Sequence, residues 1–485
     1  MIDSPEVLHN DQSTLSHREL KNAAMRFRVT LAVGLVLGLA FALTALPAGA
    51  GKPGTPTDDS HSRNMRLVGE TGDDRPVETW EAFFTDAAFQ GHYAYQGTWN
   101  GGFRITNISR PWRPKPVAEV DCGTFQGDIG VYGDLVFRSI DTPIEAATVE
   151  ETCDAPFAES GFEGIQIFEV DKPSKASADD LVAAVPTDCG SHTHTVVPDP
   201  KHKRVLLYVS SWIPESGPVY DNGQPWGHEC SREHDKFQIV EVPLRHPEDA
   251  HVLADVPLDG GHSCHDIGVL LNRWRKLAVC AGMQAIVFDV SDLDEPERLR
   301  GFTAPGVTMW HSAALSWDGR VTVMGWEPGD GVAPECEAGD PDLGKSIFFF
   351  DTRSGELLGT WVLPRPQSAV ENCTIHNYSV VPTRKRDVLV AGAYQAGTWV
   401  VDFTNPSRPR TVAWSDPPPL DPSAPTLGGT WGSYWYNGFV YQTDITKGLK
   451  VFRLKDWAVK HAREVRFLNP QTQIWPDERR HRWWR

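Results

Sequence analysis

Short apolar runs of strand length recur along the chain, each broken by Gly, Pro, Asn or Asp within a few residues. One set reads GFRITNI from Gly102, GIQIFEV from Gly164, KFQIVEV from Lys236, AIVFDV from Ala285, SIFFFDT from Ser346, TWVVDF from Thr398 and GLKVFRL from Gly448. Alternating or continuous apolar positions over such short windows predict β-strands, with one or both faces buried. Most end in an acidic or amide residue, and a proline often follows, as in SRPWRP from Ser109, DEPER from Asp294 and NPSRPR from Asn405. Proline has no backbone N–H to give to a ladder, so it ends the strand and sets a turn. A second apolar strand precedes each of these, as in RVLLYVSS, KLAVCAG and DVLVAGAY.

A further strand comes before that pair, and here a histidine recurs at one register. The segments are HTHTVVP from His192, HDIGVLL from His265, HSAALSW from His311 and HNYSVVP from His376. A fourth strand can be read in PVAEVDC from Pro116 and HVLADVP from His251. The sum is an all-β chain of seven units of about four strands each, spaced by roughly fifty to seventy residues, which is the signature of a seven-bladed β-propeller. The stretches Thr142–Gly161, Ile213–Asp235 and Glu327–Lys345 read as insertions between second and third strands. The ring is expected to close through the terminal segments, with the outer strand of the last blade drawn from Arg63–Glu70 or from Glu464–Asn469.

These repeats resemble the LVIVD-repeat β-propeller family over roughly Phe83 to Leu454. The resemblance is carried by YAYQGTWNGGFRITNISRPWRP near the start and GSYWYNGFVYQTDITKGLKVFRL near the end. It implies the propeller fold and an exported bacterial protein, and it names no reaction.

Composition narrows the picture. A formal net charge of −18 argues against a nucleic-acid partner, because phosphate binding needs clustered Lys and Arg. An uncharged apolar run from Val29 to Leu46 follows Arg26 and Arg28 and precedes Ala48-Gly49-Ala50, the pattern of a signal peptide. Met25 is the natural start of that pattern; the run is also long enough to suggest an anchor. The expected organisation is therefore an extension and signal peptide over 1–50, a linker and closing strand over 51–80, the propeller over 81–457 and a basic tail over 458–485. A mature chain with no membrane span, secreted or at the cell surface, follows. Eight cysteines fit disulfides in such a compartment. Cys264 and Cys280 flank a strand-turn-strand, and the nearest-neighbour pairings for the rest are Cys122 with Cys153, Cys189 with Cys230, and Cys336 with Cys373.

The candidate chemistry lies in the histidine slot, which His192, His265, His311 and His376 fill and which Thr85, Gly127 and Thr430 occupy in the other repeats. The first strand of a blade lines the central channel, so these imidazoles gather at one mouth. Converging neutral imidazoles can hold Zn or Cu. His194, two residues after His192, shares its side by strand alternation. Asp266 could orient a ring from behind, and Asp128 and Asn377 stand at the same offset. The same histidines could instead form a polar mouth for a protein, glycan or small-molecule ligand, or bond to neighbouring backbone. Two functions follow: an extracellular binding module, or an extracellular metal-dependent oxidoreductase or hydrolase. A polar cluster of His228, Glu229, His234 and Asp235, the nearby His262, and a tryptophan set including Trp99, Trp212, Trp226, Trp310, Trp326, Trp399 and Trp431 are weaker candidates. Solvated loop and core packing are their ordinary explanations. No nucleophile elbow, P-loop or dinucleotide fingerprint occurs.

Overall fold

A computed structural model describes residues 60–76, 83–99, 101–122, 126–141, 162–211, 235–258 and 264–476. Within these, antiparallel meanders of four strands repeat. Thr193–Asp199, Arg204–Ser210, Lys236–Pro243 and His251–Pro257 form one such sheet, paired strand to next strand. The sheets that begin at Phe84–Gln90, Gln126–Tyr132, Cys264–Leu271 and Ser312–Leu315 follow the same order. An eight-stranded sheet contains two further four-stranded runs, joined edge to edge by the parallel pairs Asn377 with Gly432 and Tyr378 with Ser433.

The innermost strands lie side by side in chain order, and Thr430–Tyr436 returns beside Phe84–Gln90. That arrangement explains the sequence pattern. Inner strands such as Thr193–Asp199 and Thr430–Tyr436 are buried along their whole length, whereas outer strands such as His251–Pro257 and Glu297–Phe302 keep mostly exposed or half-buried positions. Between third and fourth strands a bulge recurs at Ile105/Thr106, Ile167/Phe168, Ile239/Val240, Val287/Phe288, Phe349/Phe350 and Val400/Val401. Each bulge twists the outer edge and makes it a poor template for another chain.

Apolar side chains fill the space between neighbouring sheets. Trp399 is fully buried between Trp361 at 5.7 Å and Trp414 at 5.8 Å, and its Nε1 donates to the Ala396 carbonyl at 2.8 Å. Trp310 packs on Phe348 and Phe350 in the same manner. Both are core residues. Trp399→Ala is expected to cost about 3–5 kcal/mol, the range for emptying an aromatic site, measured as a fall in the urea midpoint.

The terminal segments close the structure in two places. Met65–Glu70 pairs antiparallel with Gly448–Leu454 and supplies the outer strand of the last run. Phe467–Leu468 instead pairs with Phe89 and Gln90 at the end of an inner strand, and Thr472–Ile474 pairs parallel with Val269–Leu271. Between and beside them, side-chain amides substitute for backbone. Asn469 bonds both the N–H and the carbonyl of Val131 at 2.7 and 2.9 Å, and Gln473 does the same to Leu315 at 2.8 and 2.7 Å. This strap crosses the C-terminal ends of the inner strands, and its Gln471 reaches back to Asp266.

Two disulfides are fixed, Cys264–Cys280 across one strand pair and Cys336–Cys373 at the base of the insertion after Trp326. Cys122 and Cys189 are also disulfide-bonded; Cys153 and Cys230 lie outside the described residues. So do the apolar N-terminal run, His228, Glu229, His234, His262, Trp212 and Trp226.

Candidate metal centre at the channel mouth

Three of the four slot histidines share one backbone pattern. The N–H of His192, His311 and His376 donates to the last carbonyl of the neighbouring second strand, at Ser210, Gly325 and Gly392, over 2.8 to 2.9 Å. The inner strands also bulge at the slot. Pairing shifts between Phe84 and Ala87, Gln126 and Ile129, Cys264 and Asp266, and Thr430 and Gly432. A bulge breaks strict alternation, so consecutive residues face the channel together. Thr85 with Asp86, His265 with Asp266, and His376 with Asn377 all line one small polar cavity, alongside Asp128, Thr193, His311 and Trp431.

The four imidazoles form a continuous row. Ring centroids are 4.3 Å apart from His192 to His265, 3.9 Å from His265 to His311 and 4.4 Å from His311 to His376. His192 Nδ1 meets Asp141 Oδ2 at 2.9 Å, and His265 Nδ1 meets Asp266 Oδ1 at 3.2 Å. Burial holds His265 and His311 well below the usual imidazole range, with neighbouring imidazoles adding to the effect; burial takes His376 down to about 3. Those three rings are neutral at physiological pH.

Glu327 joins the row from the insertion. Its carboxylate lies 3.3 Å from His311 Nε2 and 3.7 Å from His376 Nε2, and it accepts a hydrogen bond from the Tyr394 hydroxyl. The local chain is built to put it there. The 3-10 turn Pro328–Gly331 follows directly, Asn372 Nδ2 donates to the Gly331 carbonyl at 2.7 Å, and the adjacent Cys373 is tied to Cys336. Gly331 has φ +66°, and a Cβ at that position would collide with Glu327 and the Tyr394 hydroxyl. Tyr394 itself sits at φ 44°, a strained conformation for a non-glycine residue that recurs at functional sites.

Tautomer logic sharpens the site. His376 Nδ1 lies 2.7 Å from the Trp431 carbonyl, an acceptor only, so that nitrogen carries the proton. The neutral ring then presents a lone pair at Nε2, and it faces another acceptor, the Glu327 carboxylate. Ligand atoms of His311, Glu327 and His376 lie within 4.8 Å of one another, as do those of His265, Asp266 and His311.

His194 does not join this row. Its Nδ1 bonds Ser139 Oγ at 2.8 Å between two sheets, its backbone N–H donates to Asp128 Oδ2 at 2.9 Å, and burial takes it down to about 3. Alternation counted from His192 is defeated because the slot lies before the regular ladder, which starts at Thr193.

Neither a protein-family model nor a curated protein matches the sequence. Among solved structures, the chain is similar to the computationally designed Ika8 protein, at 11% identity over 80% of this chain and 100% of that one, with a TM-score of 0.42. It is also similar to the WD40 β-propeller domain of Doa1, at 10% identity over 81% of this chain and 97% of that one, with a TM-score of 0.45. Repeated four-stranded meanders, with inner strands that return from last to first, decide the architecture. The fold is propeller-like. In this propeller the histidine row runs along the start of adjacent inner strands, and the strap lies across their far ends.

Three residues of the site carry no histidine-like signal in the sequence. Glu327 opens an insertion without periodicity, and Asp141 lies one residue past the second strand Leu135–Ile140. Asp86 was legible in principle, since it follows the slot residue Thr85 at the offset shared by Asp128 and Asp266.

Proposed function

We propose that this chain is an exported, LVIVD-type seven-bladed propeller whose channel mouth is a transition-metal centre. His311, His376 and Glu327 form its core, and His265 and His192 continue the donor row. The observation that carries the proposal is the facing of two acceptors, His376 Nε2 and the Glu327 carboxylate, with His376 Nδ1 donating to a backbone carbonyl. A backbone carbonyl behind a ligating imidazole is the usual support of a metal-bound histidine. Imidazole and carboxylate together suit Zn or Cu, and buried neutral rings offer lone pairs without first losing a proton. Two imidazoles and one carboxylate leave a coordination position for a small molecule, the arrangement of centres that bind and activate ligands.

The inner strands that lie side by side in chain order, each with its own meander, support a count of seven blades. The apolar N-terminal run and the disulfides support export. Among the described residues no helix is long and apolar enough to cross a membrane. A second function, a polar mouth for a protein, glycan or small molecule, draws support from Trp431, which stands 4.5 Å from the His376 ring and lines the same cavity.

Elemental analysis separates the two. Protein stripped with a chelator, reloaded with Zn or Cu and desalted is expected to retain about one equivalent per chain. Less than about a tenth of an equivalent would eliminate the metal centre and leave the binding mouth.

A further inference from the structure

The carboxylates of Asp86, Asp128 and Asp266 enter the cavity that His265, His311 and His376 also border. Asp86 is 2%, Asp128 2% and Asp266 1% exposed, and all three line the small polar cavity. No Lys or Arg is among the residues that line it. Burial raises all three above the usual carboxylate range, Asp86 to about 6, and the charge of Asp266 adds to the rise at Asp86 and Asp128. Three buried carboxylates with no Lys or Arg lining their cavity are costly unless a cation or protons compensate them.

Their orientation is fixed from outside the cavity. Tyr434 donates to Asp86, Asn377 Nδ2 donates to both Asp86 oxygens at 2.9 and 3.0 Å, and the Ile129 and His194 N–H groups hold Asp128. Gln471, from the strap, donates to Asp266 Oδ2 at 3.0 Å. A second observation points to an occupant. Asn377 is 5% exposed, its Nδ2 is committed to Asp86, and its Oδ1 has no hydrogen-bond partner although it borders the cavity. An orphaned buried acceptor beside three carboxylates is a site short of positive charge. The free space, about 10 Å³, suits one water-sized species.

We infer that this layer is a second metal site, which binds one hard divalent cation of the calcium class through Asp86, Asp128, Asp266 and Asn377 Oδ1. All-oxygen donors select hard cations, in contrast to the imidazole donors on the other side of the cavity. The site stands on its own residues and does not depend on a metal at the mouth. It would lock the inner strands that carry Asp86, Asp128, Asp266 and Asn377 to one another at the level where the strap reaches them.

The test uses the full mature chain, stripped with EDTA and titrated with CaCl2 and separately with MgCl2, read by calorimetry and thermal unfolding. Calcium is expected to bind at about one per chain and raise the unfolding temperature. Asp128→Asn and Asp86→Asn, which keep size and acceptor, are expected to weaken binding at least about tenfold. Glu327→Gln, which alters a mouth ligand that does not line this cavity, is expected to leave calcium binding unchanged, so failure at the mouth and failure here are separable. Terbium as a calcium stand-in gives a test in the wild-type chain alone. Trp431 borders the cavity, so bound terbium should show tryptophan-sensitised emission that calcium displaces. Absence of both calcium and magnesium binding at millimolar concentration would overturn the site. Undiminished binding in Asp128→Asn, or terbium emission that calcium fails to displace, would overturn it too.

Discussion

Replacing His311 and His376 together by Ala is expected to take Zn or Cu content from about one equivalent to under about a tenth, the largest single effect on this molecule's chemistry. Both rings contribute Nε2 toward Glu327, so their loss leaves one carboxylate with no imidazole beside it. Glu327→Gln keeps the volume and a carbonyl oxygen but removes the charge. It should weaken the metal by about 10- to 100-fold without emptying the site at saturation. His194→Asn, between two sheets, should leave occupancy unaltered. Elemental analysis and competition with a chelating dye measure all three. Equal metal content in the double variant and the wild type would place the ion elsewhere.

Acid lability is the second large effect, and its sign can be worked out. Burial depresses His194 and His376 to about 3 and holds His265 and His311 well below their ordinary value. In the unfolded chain each takes up a proton near pH 6.5. The unfolded state therefore binds more protons between the two values, and stability falls as pH drops below about 6.5, by up to about 1.4 kcal/mol per pH unit for each ring. Asp86, Asp128 and Asp266 work in the opposite sense, because their raised values let the folded state bind protons first. Four rings against three acids leave a net loss toward acid. In metal-free urea unfolding at pH 7 and pH 5, His194→Asn should flatten this loss and Asp128→Asn should steepen it. Identical pH slopes in wild type and His194→Asn would refute the assignment of a neutral buried ring.

Most of the architecture was legible because a repeat states the same rule many times. Strand runs from Gly102 to Gly448 map onto the third strands of the meanders, and the proline stops onto the turns that follow them. The slot was legible for the same reason. The site around it was less so, because two local facts override periodicity. Bulges place neighbours such as His265 and Asp266 on one side, where alternation would separate them, and a displaced ladder start sends His194 to Ser139. Glu327 comes from an insertion that follows no repeat, and only its folding, tied by Cys336–Cys373, brings it to the histidines, where Tyr394, just past a repeated second strand, donates to it.

The two terminal closures also set a timetable for the molecule. Met65–Glu70 finishes the run that ends at Leu454, and Gln471 touches Asp266 from the last described stretch of chain. A nascent chain therefore holds the histidines long before it holds the walls that shape them. The cavity takes its final form only once the strap, which brings Gln471 to Asp266, is in place.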